Sequence, residues 1–128
     1  MNAKDFLQYW LKAAADDFDT AEKLIQVKKY HHGLFFCHLA LEKLLKGLVY
    51  KNTQNHADPI HDLKKLALQA SLDIVKIQEK ELDEITTWNI RARYDSYKFE
   101  FYKKANKEFT HRWFSKAKDI YLWLKNQF

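Results

Sequence analysis

Two glycines, Gly33 and Gly47, and one proline, Pro59, are all that 128 residues offer for breaking a regular backbone. Folds rich in strands or loops need Gly and Pro at their tight turns. Their scarcity therefore points to an all-α fold. The length fits one domain with a sizeable core. With 47% hydrophobic and 30% charged residues, the chain reads as globular rather than disordered.

The apolar periodicity fills in the helices. Over residues 2–28, Leu7, Leu11, Ala14, Phe18, Ala21 and Ile25 recur in steps of four and three, which makes an amphipathic stripe. Asp16, Asp17, Asp19 and Glu22 lie mostly off it. Tyr30-His31-His32-Gly33 reads as the break. A second helix over 33–51 is apolar around most of its circumference, through Leu34, Cys37, His38, Leu41, Leu44, Leu45 and Leu48, and so is expected to be central. Residues 52–60, with Pro59, form the clearest loop. A short third helix is expected over 61–70. A fourth, over 73–93, would use Val75, Ile77, Leu82, Ile85, Trp88 and Ile90, with Asp73 as its cap. In residues 94–101, Tyr97, Phe99 and Phe101 alternate with polar residues, which predicts a short extended piece. The last helix is expected over 103–126, with Phe109, Trp113, Ala117, Ile120, Tyr121 and Leu124 on one stripe. The sum is an up-and-down bundle of four to five helices.

Cys37 stands alone, so no intramolecular disulfide is possible, and its apolar surroundings assign it to the core. The start has no signal-peptide pattern and no apolar run reaches membrane-spanning length, so the chain is expected to be cytoplasmic with no membrane contact. Charge is uneven along it. Residues 1–90 hold 12 Lys/Arg against 13 Asp/Glu, a net of −1, and residues 91–128 hold 10 against 4, a net of +6. A basic last third suits an anionic partner or, more plainly, a solvated helix face.

That basic stretch opens with Arg91-Ala92-Arg93-Tyr94-Asp95-Ser96-Tyr97. Arg binds phosphate bidentately, and Tyr hydrogen-bonds or stacks on a base. Arg91, Arg93, Tyr94 and Tyr97 are the candidate nucleotide- or phosphate-binding residues, with Asp95 as a partner for one Arg. Arg91 and Arg93 are two apart and cannot share a helical face. Each binds ligand or forms an ion pair. No metal site is expected. The six histidines lack Cys or carboxylate companions at ligand spacing, and the adjacent His31 and His32 should point apart on a helix.

Three stretches together resemble the HEPN domain family. Residues 30–48, with Glu42-Lys43-Leu44-Leu45-Lys46, are similar to the family's second helix. Ile60-His61-Asp62-Leu63 resembles the element that opens its third helix. Ala92-Arg93-Tyr94-Asp95 is similar to the Ala-Arg-Tyr-Pro-Asp signature ending its fourth helix, without the proline. The resemblance implies one HEPN-like domain over residues 1–128, commonly a homodimer with its polar residues in the interface cleft. It implies binding of a nucleotide or RNA, and partnership with a minimal nucleotidyltransferase in toxin–antitoxin pairs. No cofactor is implied.

Family members that cleave RNA carry an Arg followed after four to six residues by a His. Counting from Arg91, that slot holds Ser96, Tyr97 or Lys98. From Arg93 it holds Lys98, Phe99 or Glu100. Cleavage of this kind needs a proton carrier poised near neutral pH, and a phenol of pKa about 10 is a poor one. The sequence keeps the anion binder and lacks the usual base, which favours binding over catalysis. A degenerate RNase would have to recruit Tyr97, His38 or His111. Glu42 and Lys46, four apart on the second helix, form either a surface ion pair or a support for the Arg93 cluster, and His38 serves either the core or the site. A non-catalytic interaction module is the remaining reading.

Overall fold

Three helices begin where a side chain can cap them. Helix α1 (Ala3–Gln26) starts with a capping box, in which Asp5 N–H donates to Asn2 Oδ1 at 2.9 Å and Asn2 N–H donates to the Asp5 carboxylate at 3.5 Å. Asp62 caps α3 (Leu63–Gln69) through Lys65 N–H, and Asn106 caps α6 (Lys107–Lys125) through Phe109 N–H. The other helices are α2 (Tyr30–Thr53), α4 (Lys76–Arg93) and α5 (Asp95–Lys104). The computed structural model describes residues 2–93 and 95–128, and the side chains of all of these except 90–93, 95 and 96. Among the described residues there is no strand.

Helix α2 is the axis of the bundle, as its apolar circumference requires. It packs against α1, α3, α4, α5 and α6, and Leu34, Cys37, Leu41, Leu44, Leu45 and Leu48 are fully buried. The ends fix the directions. Lys51 Nζ donates to the carbonyls of Gln127 and Phe128, so the end of α2 meets the end of α6. At the other end the rings of Tyr30 and His111 are in contact, so these two helices run parallel. Glu81 pairs with Lys116 and Trp88 stacks edge-on against Trp113, which makes α4 antiparallel to α6. With α1 turning sharply into α2, the four long helices run up, down, up and down.

The α1 stripe packs as its spacing dictates, with Ala14, Ala21 and Ile25 buried. Asp17 departs from expectation, because it is buried too. It lies against α2, where Lys43 Nζ meets its carboxylate at 2.6 Å. A buried carboxylate needs such a cation to offset its desolvation.

The break between α1 and α2 falls earlier than the glycine. Residues 27–29 make the turn, Lys28 takes a left-handed φ of 66°, and Gly33 lies inside α2. The turn is closed by Lys29 N–H donating to the Leu24 carbonyl at 2.8 Å, a helix-ending bond that orients the chain reversal without glycine. Gly33 serves the crossing instead. A Cβ there would meet Ile25 Cγ1 at 2.5 Å and the Ala21 carbonyl at 3.1 Å. Gly47 has the same role against Trp10 and Phe128.

Two further expectations are corrected. Helix α4 begins at Lys76, so Asp73 does not cap it, and Val75 and Ile77 are solvent-exposed, while Leu82, Ile85 and Trp88 form its core face. Residues 95–104 are the helix α5 rather than an extended piece. Phe101, Lys104 and Ala105 fall at helical spacing, and Phe101 and Ala105 are buried. Lys104 Nζ reaches back to both carboxylate oxygens of Glu84, at 3.0 and 3.2 Å, which lays α5 along α4. This docking overrides the period-two pattern.

Candidate functional site

The polar network of the core is built around Glu42, one turn from His38 on α2. His61 precedes the Asp62 cap of α3, and its backbone faces α2. His38 Nε2 donates to the His61 carbonyl at 3.0 Å, and His61 Nδ1 donates to Glu42 Oε1 at 2.9 Å. Lys46 Nζ donates to Glu42 Oε2 at 3.0 Å, and His38 Nε2 lies 3.8 Å from Oε1. Burial opposes the Glu42 charge. The hydrogen bonds from Lys46 and His61, with the nearby His38, outweigh it and hold the carboxyl below its ordinary range. Glu42 and Lys46 thus form the ion pair their spacing allows, but in the interior rather than on the helix surface, with His61 as a third member. His38 is fully buried, so it is a core histidine whose donor nitrogen is already engaged.

Arg91 and Arg93 are in the last turn of α4 and Asp95 opens α5. Their side chains, and Tyr94 altogether, lie outside the described residues. Tyr97 is described and is 48% exposed, and Phe99 beside it is 65% exposed, with Lys103 Nζ stacked 4.5 Å over its ring. Helix α5 therefore presents aromatic rings to solvent directly after the arginine segment. His111 is exposed on α6 against Tyr30.

Sequence reading missed a basic cleft at this end of the bundle. The α1–α2 turn and the α5–α6 turn enclose about 540 Å³ between Lys28, Lys29, His31, His32, Tyr102 and Lys103. The histidine rings do not point apart. Their centroids are 4.0 Å from each other, and His31 also meets the edges of Phe101 and Tyr102. Burial lowers the His31 pKa, and the charges of His32, Lys29 and Lys98 lower it further. The sequence signal was present as Lys28-Lys29-Tyr30-His31-His32 and Lys103-Lys104, but nothing in the sequence joins stretches so far apart. Among the described residues no three His, Cys, Asp or Glu side chains come together as a metal ion would need. No described helix is long and apolar enough to cross a membrane.

A family model, HEPN domain, matches residues 7–127, nearly the whole chain. This chain belongs to the HEPN domain family. At family level a HEPN domain is a helical nucleotide- or RNA-binding domain. The crystal structure of TT1696 from Thermus thermophilus is similar to this HEPN chain, with a TM-score of 0.80, and the match covers 95% of this chain and 98% of that one. At 16% identity the likeness shows the fold alone. No curated protein matches the sequence.

Proposed function

We propose that this HEPN domain binds a nucleotide or RNA by its phosphates, through Arg91 and Arg93, with Tyr94 and Tyr97 beside them. The reading is carried by one observation. In a HEPN chain, the arginine segment runs directly into a helix whose Tyr97 and Phe99 face solvent. Guanidiniums grip phosphate, and an exposed ring nearby stacks on a base. Such stacking contributes about 1–3 kcal/mol per base.

Binding is favoured over cleavage. The motif histidine is replaced, and His38, one substitute, is buried with its donor committed to His61. The protein would act in the cytoplasm as a homodimer and as the partner of a minimal nucleotidyltransferase. The Glu42–Lys46–His61 network supports that role by fixing α2 and the start of α3.

The test is affinity for ATP and for a short mixed RNA, measured on wild type and on Arg91→Ala/Arg93→Ala. Losing both guanidiniums should weaken binding at least about tenfold. Unchanged affinity for both probes would refute the site. The same proteins incubated with RNA in EDTA separate binding from catalysis. Cleavage that disappears in Arg93→Ala would make this a degenerate RNase, and a His111→Ala variant would identify its proton carrier. No affinity with a co-purifying partner would leave a pure interaction module.

A further inference from the structure

The cleft between the α1–α2 and α5–α6 turns is cationic, and no carboxylate on its described lining offsets the charge. Lys28, Lys29, Lys103 and Lys107 all line it. Elsewhere Lys23, Lys43, Lys46, Lys64, Lys104, Lys116 and Lys118 each reach a carboxylate. Among the described residues the four cleft lysines reach none. Bringing ammonium groups together around a concave surface raises their mutual repulsion, and low-dielectric walls focus the field. His31 registers this field, because neighbouring cations add to burial in disfavouring its proton. The start of α2 adds to it, since its cap residue Lys29 places no side-chain acceptor on the first-turn amides.

The cleft also has a ring surface. His31 and Tyr102 meet edge to face at 5.4 Å, with Tyr30 on the same wall. A volume of about 540 Å³ falls within the ordinary range for small-molecule sites.

We propose that this cleft is a nucleoside polyphosphate site, with the phosphates on Lys28, Lys29, Lys103 and Lys107 and the base against Tyr102 and the histidine pair. The assignment rests on none of Arg91, Arg93, Tyr94 or Tyr97 and stands apart from the function proposed for them. It needs no covalent step. The site binds.

The experiment is calorimetric titration of the full chain with ATP, tripolyphosphate and adenosine, alongside NMR titration of the His31 ring. Lys29→Ala/Lys103→Ala removes two exposed cations and should leave the helical circular dichroism unchanged. It is expected to weaken both ATP and tripolyphosphate at least about tenfold. Tyr102→Ala should weaken ATP several-fold and leave tripolyphosphate alone. ATP should raise the His31 pKa in wild type and not in the lysine variant. The site is refuted if wild type binds no ATP, or if the lysine variant binds ATP as tightly as wild type. It is equally refuted if ATP binds, leaves His31 unmoved and is lost only in Arg91→Ala/Arg93→Ala. Tripolyphosphate binding that equals ATP binding, with Tyr102→Ala silent, would remove the nucleoside from the proposal.

Discussion

His61 Nδ1 donates to Glu42 Oε1 at 2.9 Å across 19 residues of sequence, and the same residue's carbonyl accepts from His38 one turn before Glu42. One residue thus holds the segment before α3 to α2 by both its ring and its backbone. A buried carboxylate with three cationic or donor neighbours costs most when it is neutralised alone.

Glu42→Gln should therefore destabilise the fold by about 1–3 kcal/mol, read from urea unfolding. The pH dependence gives the sharper sign. A carboxyl with a depressed folded pKa contributes stability that is fully present above its unfolded value and is lost as pH falls through the folded one. For Glu42 the loss begins below pH 4.5. Wild type should lose stability there more steeply than Glu42→Gln, and parallel pH profiles would contradict the network.

Gly33→Ala pits propensity against packing. Alanine gains up to about 1 kcal/mol as a helix former, but its Cβ would sit 2.5 Å from Ile25 Cγ1, with the Ala21 carbonyl behind it. Overpacking of this kind costs about 1–3 kcal/mol. The variant should have a lower Tm, and adding Ile25→Ala should cost less than it does in wild type. A raised Tm in the single variant would mean the crossing has slack.

Glu84 anchors α5. Its carboxylate accepts from Lys104 Nζ and, at 2.8 Å, from the indole N–H of Trp88, whose ring is buried. Glu84→Ala leaves that indole without its acceptor, at a cost of about 1–3 kcal/mol. Hydrogen exchange should quicken in residues 97–104 and stay slow in α2. Uniform quickening would show that α5 does not come loose on its own.

Cys37 reports global opening. It is fully buried, and burial pushes its thiol pKa well up. Native protein should resist a thiol reagent such as DTNB, with labelling at the unfolding rate set by denaturant. Rapid stoichiometric labelling in buffer would place the thiol at the surface.

Much of this fold is legible residue by residue. The α1 stripe, the apolar circumference of α2, the Leu63–Leu66–Ala67 face of α3 and the α6 stripe all pack as their spacing requires. The Glu42–Lys46 pair follows from a separation of four. The site was less legible. Arginines near a helix end were visible as a cluster, whereas the third partner of Glu42 and the basic cleft were not, because their members come from distant segments.

The two glycines show where the boundary falls. The sequence by itself determined that this chain is helical, since so few breakers leave long amphipathic periods uninterrupted, and periodicity is a local property of the backbone. It placed the HEPN-like segments in order. Tertiary structure alone decided that Gly33 relieves a helix crossing and not a turn, that residues 95–104 coil against α4, and that Lys28 and Lys29 meet Lys103 and Lys107. Each of those outcomes depends on which surfaces meet, and close packing between segments remote in sequence sets free energies that no local pattern contains.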